Sequence, residues 1–245
     1  MTLPFIDIFE PPFEAWESRR PTLEEMLDHR RLTNETLLWV NDRCSAVIRD
    51  PWEAARYIAE KGADEALGRF VNRKLDESLE FRLWRRAMPN RTPPALAKYR
   101  REYPHCDLES VNDEVNLHGF SLSEGQCLFH GGRWPGGNAD AFVTTRVLST
   151  SFCPQVALRN ADHLGKAYDQ GKIDLLVLRA TEPCTKTFAF KRAGAGMGHE
   201  NEVLIASGAR MVVHSRTRIR DDYLAMKWQE PEKRIPVFVF EIDIE

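Results

Sequence analysis

The chain has 245 residues, of which 42% are hydrophobic and 29% charged, and its formal net charge at pH 7 is -3. A chain of this length can bury a large core, and its ordinary glycine and proline contents exclude fibrous and low-complexity classes. The small net charge implies no class of partner by itself, and no apolar run is long enough to span a membrane as a helix. The first ten residues lack a basic stretch followed by an apolar run, so we expect a cytoplasmic protein, or one delivered into a target cell by a signal-peptide-independent route.

The cysteines argue against two kinds of site. There are five of them, none forms a CxxC pair, and an odd number does not suit a secreted disulfide framework. We therefore expect thiols that are buried or half-buried, and no metal site.

The N-terminal part of the chain has the periodicity of helices. Between about residues 13 and 103, apolar residues recur at helix-like intervals, including the stretches 37–48 and 54–58. Asp50 followed by Pro51 is typical of a helix start, and further helices are predicted at 64–86 and 95–102. These patterns predict a helical N-terminal lobe over residues 1–115.

Basic residues are concentrated in one part of this lobe. A solvated helix face explains them more simply than a patch for nucleic acid or lipid, although both interpretations stay open. The residues are Arg82, Arg85, Arg86, Arg91, Lys98, Arg100 and Arg101.

From about residue 116 the pattern changes to short strands separated by turns, with one helix among them. The apolar run 174–179 is of the buried-strand type, and the last strand, 237–244, alternates between apolar and polar residues. Further strands are predicted at 126–129, 145–149, 186–190, 202–205 and 210–214. The expected class is α+β, with the helical lobe on a β core over residues 116–245.

Three short motifs in this core carry groups suited to chemistry. The first places His130 at a strand end, followed by two glycines and Arg133. Glycines allow a ligand to approach the backbone closely, and an arginine can pair with a phosphate. A structural histidine followed by a plain turn is the alternative.

The second motif is Ser149-Thr150-Ser151, followed by Pro154 at the start of a helix. These hydroxyls could cap that helix, or they could line a cleft and bind a ribose or a carboxylate.

The third motif is Glu200-Asn201-Glu202 after a glycine-rich loop. Residues two apart on a strand share a face, so both carboxylates would lie side by side. An exposed edge strand is the alternative. The glycine loop is not followed by the helix of a dinucleotide fingerprint, and Val203 stands where an HExxH motif needs its second histidine.

Taken in order, these motifs resemble the mono-ADP-ribosyltransferase family, in the branch of the cholera-toxin-like and clostridial-toxin-like enzymes. That branch has an arginine on the first core strand, a Ser-Thr-Ser on the second and a Glu-x-Glu later. Residues 148–152 are similar to the second mark and residues 198–205 to the third, and the resemblance covers about residues 126–213. It implies a two-sheet core of the ADP-ribosyltransferase type and NAD as the substrate.

The sequence departs from that branch at the first mark. The family's arginine would fall near His130, whereas the arginine of this chain is Arg133. His130-Gly131 is instead similar to the poly-ADP-ribose polymerase and diphtheria-toxin branch, where the histidine holds a ribose and the glycine backbone holds the nicotinamide amide. Either His130 with Gly131, or Arg133, would then grip NAD.

The resemblance also implies a role for each remaining site residue. Glu202 would stabilise positive charge on the ribose while nicotinamide leaves, and Glu200 would orient and deprotonate the acceptor. Ser149 would hold Glu202 or the ribose, with Thr150 and Ser151 completing the NAD-binding strand end.

The acceptor is less well defined by the sequence. A first glutamate in the pair favours a guanidinium acceptor, such as a protein arginine, but the acceptor loop at 191–199 lacks the aromatic residue that relatives often carry there. A transferase acting on nucleic acid, an NAD glycohydrolase and an inactive partner-binding fold are the alternatives. The helical lobe could bind a regulatory partner, and a toxin, an injected effector and a phage-encoded modifier would all fit.

Overall fold

A computed structural model of the chain describes residues 2–191 and 201–245. These residues form an α+β fold whose hydrophobic core is shared by the N-terminal helices and the C-terminal strands. The helices are α1 (Leu23–Thr33), α2 (Pro51–Lys61), α3 (Glu65–Glu77), α4 (Leu79–Ala87), α5 (Pro94–Glu102), α6 (Leu108–His118), α7 (Pro154–Asp162) and α8 (Lys166–Gln170). The strands are β1 (Phe13–Arg19), β2 (Val40–Ile48), β3 (Phe120–Ser121), β4 (Cys127–Gly132), β5 (Ala141–Val143), β6 (Leu148–Ser151), β7 (Ile173–Ala180), β8 (Lys186–Ala189), β9 (Glu202–Ile205), β10 (Arg210–Ala225) and β11 (Lys233–Ile244).

The helix starts follow from local capping. The side chain of Asp50 accepts a hydrogen bond from a backbone N–H in the first turn of α2, and Pro51 is its first residue, as predicted. The stretch predicted at 64–86 is divided into α3 and α4, because Ser78 is extended and its hydroxyl caps α4. The boundary predicted at residue 115 falls inside α6.

The helix expected around residues 37–48 is wrong. Residues 40–48 are strand β2, which pairs antiparallel with β1 in a separate two-stranded sheet. The pair Phe13–Ile48 is buried at one end of this sheet, where both side chains join the core. The apolar residues of 40–48 therefore belong to a strand. Most of this strand is exposed or half-buried, so its sequence does not alternate regularly between apolar and polar residues.

The other nine strands form one sheet with the order β3-β8-β9-β6-β4-β7-β11-β10-β5. Two groups of strands meet at its middle, where β4 and β6 pair through Phe129 and Ser151, whereas β4 pairs with β7 along its whole length. The two sheets expected from the sequence are thus hydrogen-bonded into one, through a narrow junction. This junction brings the ends of β4, β6 and β9 together.

Helix α7 packs directly on β4. A Cβ at Gly131 would lie 1.7 Å from the backbone oxygen of Ala157 in α7, so a residue with a side chain cannot fit between the helix and the strand. Glycine at this position therefore lets the helix approach the sheet closely. Within the two described ranges, no helix combines the length and the apolar character needed to cross a bilayer.

Candidate active site at the ends of three strands

The Ser-Thr-Ser and Glu-x-Glu motifs lie on neighbouring antiparallel strands, β6 and β9, with Ser149 paired to Leu204. The hydroxyl of Ser149 donates a hydrogen bond to Oε1 of Glu202 at 2.7 Å. This contact fixes one carboxylate oxygen of a side chain that is 14% exposed. A hydrogen bond to an ionised group is stronger than a neutral one, so Ser149 orients Glu202 in one geometry.

The other two hydroxyls of the motif bond to the backbone. Thr150 donates to the carbonyl of Val203 at 2.7 Å, across the β6–β9 pair, and the hydroxyl of Ser151 accepts from the N–H of Cys153 at 3.1 Å. Both side chains are buried. These hydrogen bonds stabilise the end of β6, but they do not cap α7, whose N-cap residue is Cys153 and which has no side-chain capping hydrogen bond. The helix-cap interpretation of this motif is therefore wrong.

His130 lies on β4, on the other side of β6, and its Nδ1 is 2.6 Å from the carbonyl oxygen of Ser149. Since a carbonyl only accepts, Nδ1 carries the hydrogen. Burial lowers the pKa of His130, and the positive charges of Arg146 and Lys166 act in the same direction against the opposing hydrogen bond to Ser149. The ring is therefore neutral at pH 7, and its Nε2 offers a lone pair to a hydroxyl donor.

The residues after His130 have different surroundings. A Cβ at Gly132 would lie 3.2 Å from Nε2 of His130, so the glycine leaves room beside that lone pair. Gly131 faces α7 on the opposite side of the strand, and its missing side chain is explained by packing. Arg133 follows the end of β4 and is exposed. His130 thus contacts the backbone of Ser149, whose side chain contacts Glu202, and Arg133 lies outside this group.

Two residues of α5 also belong to the site, and neither was predicted from the sequence to lie there. Nε of Arg100 lies 4.0 Å from Oε2 of Glu202, and its side chain is only 5% exposed. Its guanidinium also lies over the ring of Phe190 at 4.8 Å. Tyr99 is buried beside it, and burial, followed by the negative charge of Glu202, raises the pKa of Tyr99.

The prediction of a solvated face is therefore wrong for Arg100. Leu96 and Tyr99 are the buried residues of α5, and Arg100 is four residues after Leu96, on the same helix face. An arginine at an apolar position of a helix was the signal that could have identified it. Glu202, Ser149, His130 and Arg100 are called the Glu202 cluster below.

Glu200 lies outside the described residues, as does the glycine-rich loop before it. The residues on either side of that segment both contact the helical part of the chain. Nζ of Lys191 is 3.5 Å from Oδ1 of Asn90, and Nδ2 of Asn201 donates to Oδ1 of Asn72 in α3 at 2.6 Å. The N-terminal part of the chain thus contacts both residues that flank this segment.

In the part of the chain that the structure describes, no three His, Cys, Asp or Glu side chains are grouped so that they could hold a metal ion. The Glu202 cluster itself supplies three kinds of group. They are an oriented carboxylate, a buried guanidinium and a neutral imidazole that can accept a hydrogen bond.

No protein-family model matches the chain, and no curated protein matches it. Among solved structures it is similar to the ADP-ribosyltransferase Vis from Vibrio splendidus in complex with agmatine, at 14% identity over 79% of this chain and 73% of Vis, with a TM-score of 0.35. Plx2a, an ADP-ribosyltransferase toxin from Paenibacillus larvae, matches at 9% identity over 71% of this chain and 96% of its own, with a TM-score of 0.42. The ADP-ribosylating toxin BECa of C. perfringens with NADH matches at 13% identity over 60% and 39%, with a TM-score of 0.34.

These structural neighbours are ADP-ribosyltransferase toxins. At such identities and TM-scores the likeness carries no weight for the activity of this chain. A functional proposal therefore rests on the contacts of its own residues.

Proposed function

We propose that the chain is an NAD-dependent mono-ADP-ribosyltransferase, which cleaves the nicotinamide–ribose bond and transfers ADP-ribose to an acceptor. One observation carries the proposal. The hydroxyl of Ser149 and the carboxylate of Glu202, from two motifs far apart in the sequence, are hydrogen-bonded at 2.7 Å on neighbouring strands. A carboxylate fixed in this way is suited to stabilise positive charge at a defined point.

The residues fit the parts of NAD as follows. Nicotinamide is a good neutral leaving group, so its bond to the ribose can break through a transition state with positive charge on the sugar. Glu202 would lie against that sugar, and the free Nε2 of His130 would accept a hydrogen bond from a ribose hydroxyl. The hydrogen bond from Ser149 holds the carboxylate before the charge develops, so little reorganisation is needed during the reaction.

Arg100 would act through Glu202. A buried guanidinium needs partners that compensate for its lost hydration. The carboxylate of Glu202 at 4.0 Å supplies an ion pair, and the face of Phe190 at 4.8 Å supplies a cation–π contact. We propose that Arg100 holds the carboxylate of Glu202 in place. The helical lobe would then contribute a positioning residue to the catalytic core.

The acceptor would be handled by Glu200, on the segment between Lys191 and Asn201. The motif favours a guanidinium such as a protein arginine, and a nucleic acid is the alternative. Glu200→Gln should lose transfer but keep much of the NAD hydrolysis, because water needs less orientation than a specific acceptor. An equal loss of both activities would assign Glu200 to NAD cleavage instead.

The direct experiment is incubation of the pure protein with NAD labelled in the adenylate phosphate, alone and with cell lysate. Label transferred to a macromolecule supports the proposal, and treatment with protease or nuclease then identifies the class of acceptor. Free ADP-ribose without transfer would assign the chain as an NAD glycohydrolase. Intact NAD in both conditions would contradict the enzymatic proposal and favour an inactive binding fold.

A further inference from the structure

A second group of side chains surrounds an open cavity of about 440 Å³ next to the candidate active site. It is called the arginine cavity here, and its lining residues are Arg82, Arg85, Arg86, Asn90 and Lys191. The three arginines lie on α4, at positions that share one side of the helix. The opposite side of α4 is buried through Phe81 and Trp84.

The arginine cavity has a strongly positive lining. Among residues 2–191 and 201–245, none of its four cationic side chains forms a salt bridge with a carboxylate. Their contacts are weaker: Arg82 donates to the carbonyl of Glu77 at 3.4 Å, and Arg85 lies 6.0 Å from the ring centre of Phe81. Elsewhere on the surface, most arginines pair with acidic residues, as Arg19 does with Glu25 at 2.7 Å. Four cations around one cavity, without such partners, form a site for an anion.

One lining residue of the cavity, Lys191, lies on the side of Glu202 that faces away from the proposed NAD grip. In the sheet, β9 with Glu202 lies between β8 on one side and β6 with β4 on the other. Neighbouring strands are about 4.8 Å apart, so the strand of His130 lies about 10 Å from that of Glu202 on one side. Lys191 follows Phe190, whose N–H bonds to the carbonyl of Glu202 at 3.1 Å, on the other side.

Helix α4 is also fixed relative to the site. The ring centres of Phe81 and Trp84 lie 5.6 and 5.2 Å from that of Phe152. Phe152 directly follows the Ser-Thr-Ser motif. The arginines are thus presented from a helix that packs on the end of β6. Lys191 therefore lies across Glu202 from the proposed NAD grip, and the three arginines lie beside the end of β6.

We infer that the arginine cavity binds phosphate groups of the acceptor, and that this acceptor is a single-stranded nucleic acid. The Glu200 motif alone favours a protein arginine, but a cavity lined by four cations repels a guanidinium and attracts phosphates. The inference rests on the proposed function and names its substrate class. Arginine forks match phosphate oxygens in bidentate pairs, and three of the four cations are arginines. A single strand exposes its bases, so a base group can reach Glu202 while its phosphates occupy the cavity.

The transfer step balances without another reactant. The bond between the ribose carbon of NAD and the nicotinamide nitrogen breaks, and nicotinamide leaves as a neutral molecule with the electron pair. A nucleophilic nitrogen or oxygen of the nucleic acid forms the new bond to that carbon and loses its proton to Glu200 or to solvent.

The test is binding of a fluorescein-labelled single-stranded oligonucleotide, in RNA and DNA forms, to the full-length protein at several salt concentrations. The variant is the triple substitution Arg82→Gln, Arg85→Gln, Arg86→Gln. Its matched control changes three exposed arginines on other helices, Arg30→Gln, Arg56→Gln and Arg159→Gln, and so alters the net charge equally. Each lost phosphate contact on a single strand removes about 0.7 from the slope of log affinity against log salt, so the variant should lose about 2 from the slope.

We expect the triple variant, and not the control, to bind the oligonucleotide at least about ten-fold more weakly. Label from NAD should enter the oligonucleotide with the wild-type protein. Equal binding by variant and control, with nicotinamide still released by the wild type, would overturn the inference and leave the proposed function intact.

Other results separate the remaining interpretations. A rise in KM for NAD as large as the loss of oligonucleotide affinity would assign the cavity to the phosphates of NAD and overturn the inference. Competition by an acidic peptide as effective as that by the oligonucleotide would overturn it in favour of a protein acceptor. Oligonucleotide binding through the three arginines without release of nicotinamide would support the cavity as a nucleic-acid site and contradict the proposed function.

Discussion

The Glu202 cluster and the arginine cavity are neighbours, but they treat charge in opposite ways. In the cluster, the carboxylate is 14% exposed and has a hydroxyl and a guanidinium beside it. In the cavity, the cations face solvent-accessible space and have no carboxylate partner among the described residues. A buried carboxylate with a hydrogen bond and an ion pair is suited to chemistry at one point, whereas open cations without salt bridges are suited to recognise a mobile anion. The predictions below test whether this division is correct.

The largest effect is expected for Glu202→Gln. The amide keeps the size of the side chain but removes the charge, so both transfer and NAD hydrolysis should fall by about 10²-fold or more. The measurement is nicotinamide release by the folded variant, and Glu241→Gln on β11 is the control. Turnover close to the wild-type value in a folded Glu202→Gln protein would remove Glu202 from the mechanism.

Arg100→Gln should give the next largest effect. Loss of a contact to a charged group costs about 1.5–3 kcal/mol, which corresponds to a fall in kcat of about 10- to 100-fold. Because Arg100 acts through Glu202, KM for NAD should change much less than kcat. Arg100→Lys keeps the positive charge and should recover part of the activity. If both variants fold and are equally inactive, the charge of Arg100 does not explain its effect on kcat.

The comparison of His130→Ala with Arg133→Ala examines the NAD side of the cluster. His130 is bonded to Ser149 and Arg133 is exposed, so we expect His130→Ala to raise KM for NAD by about 2- to 12-fold, for a lost hydrogen bond of about 0.5–1.5 kcal/mol. Arg133→Ala should change it little. The reverse order would show that Arg133, and not His130, binds NAD. An unchanged NAD affinity in both variants would show that neither residue contacts the dinucleotide.

The smallest effect concerns pH and stability. Burial lowers the pKa of His130 from its ordinary 6.5, so the unfolded chain takes up a proton at a higher pH than the folded one. Stability is therefore lost as the pH falls from about 6.5 toward the folded pKa, by up to about 1.4 kcal/mol per pH unit. Denaturant unfolding on both sides of pH 6.5 should show this loss in the wild type and less of it in His130→Asn. Substitution of the exposed His105 by Asn is the control. If the free energy of unfolding of His130→Asn changes with pH as much as that of the wild type, His130 is not the group responsible for the loss of stability.

Much of the fold could be predicted because its signals are local. The cap at Asp50 and the apolar run of β7 depend on residues next to each other in the chain. The two-stranded sheet of β1 and β2 could not, because its strands are mostly exposed and their apolar residues fit two periods. The pairing of β1 with β2 is a contact between distant segments, and the periodicity of a sequence gives no information about such contacts.

The site divides in the same way. Ser149 and Glu202 could be identified from their motifs, but the contact between them depends on the sheet order. The periodicity of α5 could have indicated that Arg100 is buried, but not what it contacts, since Glu202 and Phe190 lie far along the chain. The charge of a helical residue predicts solvent exposure unless a distant partner is known.

The close approach of α7 to β4 has a consequence for mutational scanning. Any side chain at Gly131 would push Ala157 away and separate the helix from the sheet, so most substitutions there should be rejected even in a selection for expression alone. Gly132 meets only the edge of the His130 ring, and an alanine there should be tolerated for expression but not for activity. Tolerance profiles at these two adjacent glycines, collected under the two selections, would therefore separate the demands of architecture from those of catalysis within a single dipeptide.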